Sequence, residues 1–120
     1  MVELQETDLL LRIFIGEDDH FDGKPLYEAI VLKAREQGLA GATVLRGIMG
    51  FGHSSLIHTA KILRLSEDLP VVVEIVDSKE HITAFLPLLE GMVKGGLVTV
   101  EEIRGLRYGP GQKERTPQSV

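Results

Sequence analysis

Val44-Leu45-Arg46-Gly47-Ile48-Met49-Gly50-Phe51-Gly52-His53-Ser54-Ser55 decides how the rest of the chain is read. It opens as a strand and closes as a polar loop punctuated by glycine. Val44, Leu45, Ile48 and Met49 give apolar strand character, and Arg46 is a charge that must reach water or an anion. Gly47, Gly50 and Gly52 allow positive φ, or the close approach of another backbone or a ligand. His53, Ser54 and Ser55 then add an imidazole and two hydroxyls. A strand that runs into such a loop marks a candidate site, and the flanking elements read as its scaffold.

Upstream, Leu9-Leu10-Leu11-Arg12-Ile13-Phe14-Ile15 is a mostly apolar first strand, with Arg12 expected on the open face of a sheet. A turn-rich connection, Gly16 to Gly23, leads to Pro25, which suits a first helical turn because its missing N–H costs nothing there. Glu17, Asp18, Asp19 and Asp22 raise the question of calcium. Their spacing lacks the order of an EF-hand loop, and a solvated acidic loop near a helix N-terminus is the expectation. The helix is predicted over Pro25 to Gln37, with Leu26, Ala29, Ile30, Lys33 and Ala34 on one face and Gly38 as its stop.

Downstream, Leu56 to Lys61 is ambiguous, and Ile62-Leu63-Arg64-Leu65 reads as a return strand. Ser66 to Pro70 interrupts it, and Val71-Val72-Val73-Glu74-Ile75-Val76 is the strongest β signal in the chain. Ser78 is an N-cap candidate for a second helix over Lys79 to Lys94, with Ile82, Phe85, Leu86, Leu89 and Val93 as its buried stripe. Pro87 should bend that helix. Gly95-Gly96 ends it, and Leu97 to Tyr108 is the last strand. This order gives an α+β, ferredoxin-like βαββαβ fold: a four-stranded antiparallel sheet with two helices on one face. The other face then needs cover, which implies oligomerisation sheet to sheet. Residues 1–120 are expected to form one domain, with 1–8 and 109–120 flexible.

Composition narrows the function. A chain of 120 residues with 43% hydrophobic and 5% aromatic residues builds its core from Leu, Val and Ile. The absence of Cys removes disulfides, thiolate catalysis and Cys-based zinc sites, and suits a reducing compartment. The acidic start is unlike a signal peptide, and no apolar run approaches the roughly 20 residues of a membrane span. A cytoplasmic protein with no direct membrane insertion is expected. A net charge of −5 argues against a nucleic-acid-coating surface. Arg46, Lys61, Arg64, Arg104 and Arg107 fall in or near strands and loops, where a local basic pocket would suit a small anion.

Several segments carry a resemblance. Gly23-Lys24-Pro25-Leu26-Tyr27, Gly38-Leu39-Ala40-Gly41-Ala42-Thr43-Val44, Arg46-Gly47-Ile48-Met49-Gly50-Phe51-Gly52 and Leu63-Arg64-Leu65-Ser66-Glu67-Asp68-Leu69-Pro70 are similar to stretches of the small PII-like signalling proteins filed as a domain of unknown function. The match runs from about Leu9 to Tyr108. The resemblance implies a homotrimer with its sheets facing inward and an adenine nucleotide held in clefts between subunits. Carried over by position, the binding residues are Arg46, Gly50, Phe51, Gly52, His53, Ser54 and Ser55, then Gly95 and Gly96, then Arg104 and Arg107. Glycine N–H groups and guanidinium forks both suit phosphate. The departures are equally plain. The long tip loop with a modifiable tyrosine is missing, and the loop after the second helix lacks the lysine that PII proteins use on phosphates. AMP or ADP therefore fits better than ATP, with no required cofactor and, at family level, a membrane transport protein as a partner.

Two other chemistries compete with this reading. His53, Ser54, Ser55 and His58 could form a nucleophile and base, but no Gly-x-Ser-x-Gly elbow or third orienting residue is present, so no enzyme is expected. The copper-tolerance trimers share the architecture and suggest metal. His20, His53, His58 and His81 give no tight pairing within one chain, although a trimer axis would gather three copies of any one of them.

Overall fold

The computed structural model describes residues 7–52 and 68–109. The expected return strand Ile62–Leu65, the polar loop residues His53, Ser54, Ser55 and His58, residues 1–6 and the tail from Pro110 lie outside the described residues.

Strand β1 (Asp8–Gly16) is followed by two short strands, β2 (His20–Phe21) and β3 (Lys24–Pro25), then helix α1 (Leu26–Glu36), β4 (Thr43–Arg46), β5 (Pro70–Ser78), helix α2 (Lys79–Glu90) and β6 (Leu97–Ile103). The main sheet has the order β4-β5-β1-β6, antiparallel throughout. This is the ferredoxin-like α+β arrangement that the element order predicts.

β1 and β5 alternate strictly, burying Leu9, Leu11, Ile13 and Ile15 on one strand and Val71, Val73 and Ile75 on the other. The register Leu11↔Ile75 and Ile13↔Val73 sets these side chains on one face. There they meet Leu26, Ala29, Ile30 and Ala34 of α1 and Ile82, Phe85 and Leu89 of α2 in one core. The opposite face carries Leu10, Phe14 and Val72 around a charged centre. Arg12 donates from Nε to Glu74 at 2.9 Å and reaches Glu101 at 3.4 Å across the flanking strands. Arg12 thus lies on the open face as expected, with its pKa raised chiefly by the hydrogen bond to Glu74.

The helix ends follow local chemistry. Gly38 takes φ +79° and closes α1, with Leu39 N–H donating to Ala34 O at 3.0 Å and Gly38 N–H to Arg35 O at 3.1 Å. This is the paired bond pattern of a Schellman motif. The Ser78 hydroxyl accepts from His81 N–H at 3.1 Å and caps α2. Pro87 stands inside α2 without ending it, and the helix stops at Glu90 rather than Lys94. Met92 and Val93 instead donate to Leu89 O in a tightened last turn.

Three expectations shift. The last strand ends at Ile103 rather than Tyr108, because Ile103 pairs with Asp8 and β1 begins there. Ile48 and Met49 are not strand and are 90% and 66% exposed. β4 runs out of partner at Pro70, whose carbonyl takes the Gly47 N–H at 2.7 Å. The acidic loop contains a hairpin, turned by Asp22 (φ 53°) and Gly23 (φ 81°). Two successive positive φ values are what an Asp-Gly turn between strands favours.

Candidate functional site

The register places four chain segments at one end of the sheet. Gly16 pairs with Pro70, Phe14 with Leu97, and Arg46 with Val71, so β1 and β4 end where β5 and β6 begin. The segment leaving β4 and the Gly95–Gly96 turn entering β6 meet there around a cavity of about 690 Å³. Gly50, Phe51 and Gly52 line one side and Gly95 and Gly96 another. Phe14, Ile15 and Gly16, with Asp19, Asp68, Pro70 and Leu97, complete it. Two glycine segments more than forty residues apart are thus brought to one cavity.

The glycines are not equivalent. Gly96 has φ +139°, and a Cβ there would lie 2.5 Å from the Phe14 carbonyl oxygen. Its place is fixed by the close approach of β1. A Cβ at Gly47 would stand 2.8 Å from the Pro70 ring, so this backbone lies directly on the proline. At Gly52 a Cβ would meet nothing within 4 Å among the described residues. Packing therefore demands glycine at 96 and 47, while no described residue crowds position 52.

Electrostatics divide the site differently from the sequence expectation. Arg46 does not line the cavity; its guanidinium is held by Glu17, with Nε at 3.1 Å from the carboxylate. That hydrogen bond raises the arginine's already high pKa. The carboxylates that reach the cavity are each fixed by backbone: Asp19 Oδ2 accepts from Gly16 N–H and Asp68 Oδ1 from Asp18 N–H, both at 3.0 Å. Asp68 holds a positive φ of 53°. Among the described residues no three His, Cys, Asp or Glu side chains gather as a metal would need.

Arg104 and Arg107 lie at the other end of the sheet, beyond β6. Arg104 is exposed. Arg107 pairs with Asp8 at 3.0 Å and donates to the Val76 carbonyl at 3.3 Å, beside a shallower groove of about 570 Å³. Within one chain the arginines and the glycine cavity are therefore separated by the length of the sheet. The same end holds Asp77, which is fully buried. It accepts from Ala40 N–H at 2.8 Å and Ser78 N–H at 2.7 Å, and His81 Nδ1 lies 2.8 Å away. The sequence reading assigns no functional role to Asp77 and places none of Phe14, Asp19, Asp68 or Pro70 at the nucleotide site. No local pattern marks these four, since pairing across the sheet is what brings them together.

The ferredoxin-like fold is shared with solved PII-like signalling proteins. One such protein from Thermus thermophilus superposes with a TM-score of 0.59 at 18% identity, over 84% of this chain and 91% of that one. CPII from Thiomonas intermedia K12, solved bound to ADP and bicarbonate, superposes with a TM-score of 0.55 at 18% identity, over 88% and 95% of the two chains. At such identity the likeness speaks for the fold. The chain itself belongs to the DUF190 family, described as Uncharacterized ACR, whose model matches residues 8–105. A UPF0166 protein of Aquifex aeolicus (strain VF5) is 47% identical over 94 residues, 78% of this chain and 89% of the relative. Another, of Methanocaldococcus jannaschii, is 37% identical over 94 residues, 78% and 86% of the two.

Proposed function

We propose that this protein is a non-catalytic, PII-like sensor or adaptor. It binds a small adenine nucleotide, AMP or ADP rather than ATP, in clefts between the subunits of a homotrimer, and passes its state to a partner protein. The observation that carries this reading is the convergence of Gly50–Gly52 and Gly95–Gly96 on one cavity. Its volume falls in the range usual for small-molecule sites, roughly 300–1,000 Å³. The structural neighbour CPII, solved with ADP and bicarbonate and also with ADP, AMP and acetate, supports the choice of ligand.

The separation of the arginines from the cavity supports the intersubunit part. A cleft that uses both Arg107 and the glycine segments needs a second copy, whose far end lies against the cavity. Arg107 is within reach of a second copy, because its side chain stays 40% exposed while it pairs with the more enclosed Asp8. The open face, with Phe14, Leu45 and Leu97 all exposed, supplies apolar surface for such an assembly. No helix among the described residues is long and apolar enough to cross a membrane. A cytoplasmic location and a membrane transport protein as partner complete the proposal.

The test is a thermal-shift series with AMP, ADP, ATP and 2-oxoglutarate, with the oligomer mass measured in the same sample. ADP should raise the melting temperature, as any ligand that binds only the folded state does. The rise should vanish in Gly52→Val, where no described residue crowds the added side chain, and should shrink in Arg107→Ala. An intact trimer that no nucleotide stabilises would count against the reading.

A further inference from the structure

We infer that the cavity takes the nucleoside end of its ligand rather than its phosphates, and that Asp19 and Asp68 are the residues that select for it. This rests on the nucleotide reading above and assigns an orientation within it.

The first ground is charge. Among the described residues that line the cavity there is no Lys, Arg or His, while Asp19 and Asp68 are both present. Arg46, four residues before Gly50, is already held by Glu17, and Lys94, next to Gly95, is exposed and does not line the cavity. Among the described lining residues a phosphate would meet two carboxylates and no countercharge, in a site partly shielded from water where like charges repel more strongly. Hydroxyl and amino groups have the opposite preference. A carboxylate is an acceptor only, and hydrogen bonds to a charged acceptor are the stronger kind.

The second ground is geometry. One oxygen of each carboxylate is taken by a backbone N–H, Gly16 for Asp19 and Asp18 for Asp68. The bonds hold both groups in place and leave the other oxygen of each without a partner among the described residues. Two fixed acceptors suit the paired hydroxyls of a ribose or an exocyclic amine. The walls beside them are apolar and partly aromatic: Phe14, Leu97 and Phe51 are 38%, 57% and 79% exposed. Exposed aromatic faces are what a nucleobase stacks on.

The third ground removes the usual reason for putting phosphate at these glycines. Gly96 owes its conformation to the Phe14 carbonyl and Gly50 lies against the Pro70 ring, so neither needs an anion to account for it. The phosphates then point out of the cavity, toward arginines brought by a second copy.

Calorimetric titration of the full chain with adenosine, ADP and sodium pyrophosphate, each with magnesium and with EDTA, tests the assignment. Adenosine should bind within about tenfold of ADP, and pyrophosphate should not compete with ADP in either buffer. Asp68→Asn and Asp19→Asn keep an oxygen for the backbone N–H yet lose the charge. At least one should weaken adenosine by about tenfold or more, the loss of a charge-assisted hydrogen bond. Pyrophosphate that competes while adenosine fails to bind would overturn the orientation and leave the nucleotide reading standing. Competition only with magnesium would do the same, by way of a cation bridging phosphate and carboxylate. Unchanged adenosine affinity in both variants would remove the carboxylates from the role. If no adenine compound binds, the nucleotide reading fails and the orientation with it.

Discussion

At one end of the sheet Asp77 is fully buried, and its carboxylate ties the loop before β4 to the first turn of α2 through Ala40, Ser78 and His81. At the other end Asp19 and Asp68 are also held by backbone N–H groups, yet they face a cavity. Both ends use the same device, an aspartate accepting from main chain, with opposite results. Where the carboxylate is enclosed it fixes the fold. Where it borders open space beside glycine backbone it remains available to something else. The difference lies in what surrounds the aspartate rather than in the aspartate itself, and substitutions at the two ends should separate stability from binding.

The largest effect is expected at the enclosed end. Asp77→Ala leaves the Ala40 and Ser78 N–H groups without their acceptor inside the protein, and should cost about 3 kcal/mol, read from urea unfolding midpoints at constant m-value. Asp77→Asn keeps an acceptor oxygen and should recover part of the loss. An Asp77→Ala variant as stable as wild type would break the comparison, because the carboxylate would then carry no structural load.

At the cavity end the largest stability effect should come from backbone rather than charge. Gly96→Ala puts a Cβ against the Phe14 carbonyl in a region of φ that side chains rarely adopt. A cost of about 2 kcal/mol is expected by thermal or urea unfolding. His81→Ala should cost about 1 kcal/mol, since it removes one partner of Asp77 and leaves the Ser78 and Ala40 bonds in place. A loss for His81→Ala equal to that of Asp77→Ala would mean that the pair, not the carboxylate, organises this end.

What could be read ahead of the structure was whatever depends on neighbours in sequence. The apolar, β-branched runs Leu9–Ile15 and Val71–Val76, Gly38 as a helix stop and Ser78 as a cap all rest on local chemistry, and they mark the two central strands and both helices. Boundaries went astray where a partner strand decides them. Ile103 is the last ladder residue because β1 starts at Asp8, and Ile48 and Met49 leave the sheet because β5 starts at Pro70. The Asp22-Gly23 pair was a legible hairpin signal, read only as a turn. For the site, the two glycine segments were legible as unusual backbone. The cavity's acidic side was not, because Asp19 and Asp68 are 49 residues apart in the sequence and meet only through the Gly16↔Pro70 pairing.

Arg107 sharpens the comparison with the smallest stability effect. Its guanidinium is partly exposed, paired with Asp8 at 3.0 Å and bonded to the Val76 carbonyl at 3.3 Å. Surface pairs of this kind are worth little, so Arg107→Ala should change unfolding free energy by less than about 0.5 kcal/mol. Its proposed role is to serve the cavity of a neighbouring copy, and there the same substitution should shrink the ADP-induced rise in melting temperature to about that given by adenosine, while leaving adenosine binding nearly intact. A residue that merely decorated the surface would change neither quantity. Loss of ADP and adenosine binding together would instead point to Arg107 holding subunits in register, which the oligomer mass of the variant would reveal as a dissociated assembly.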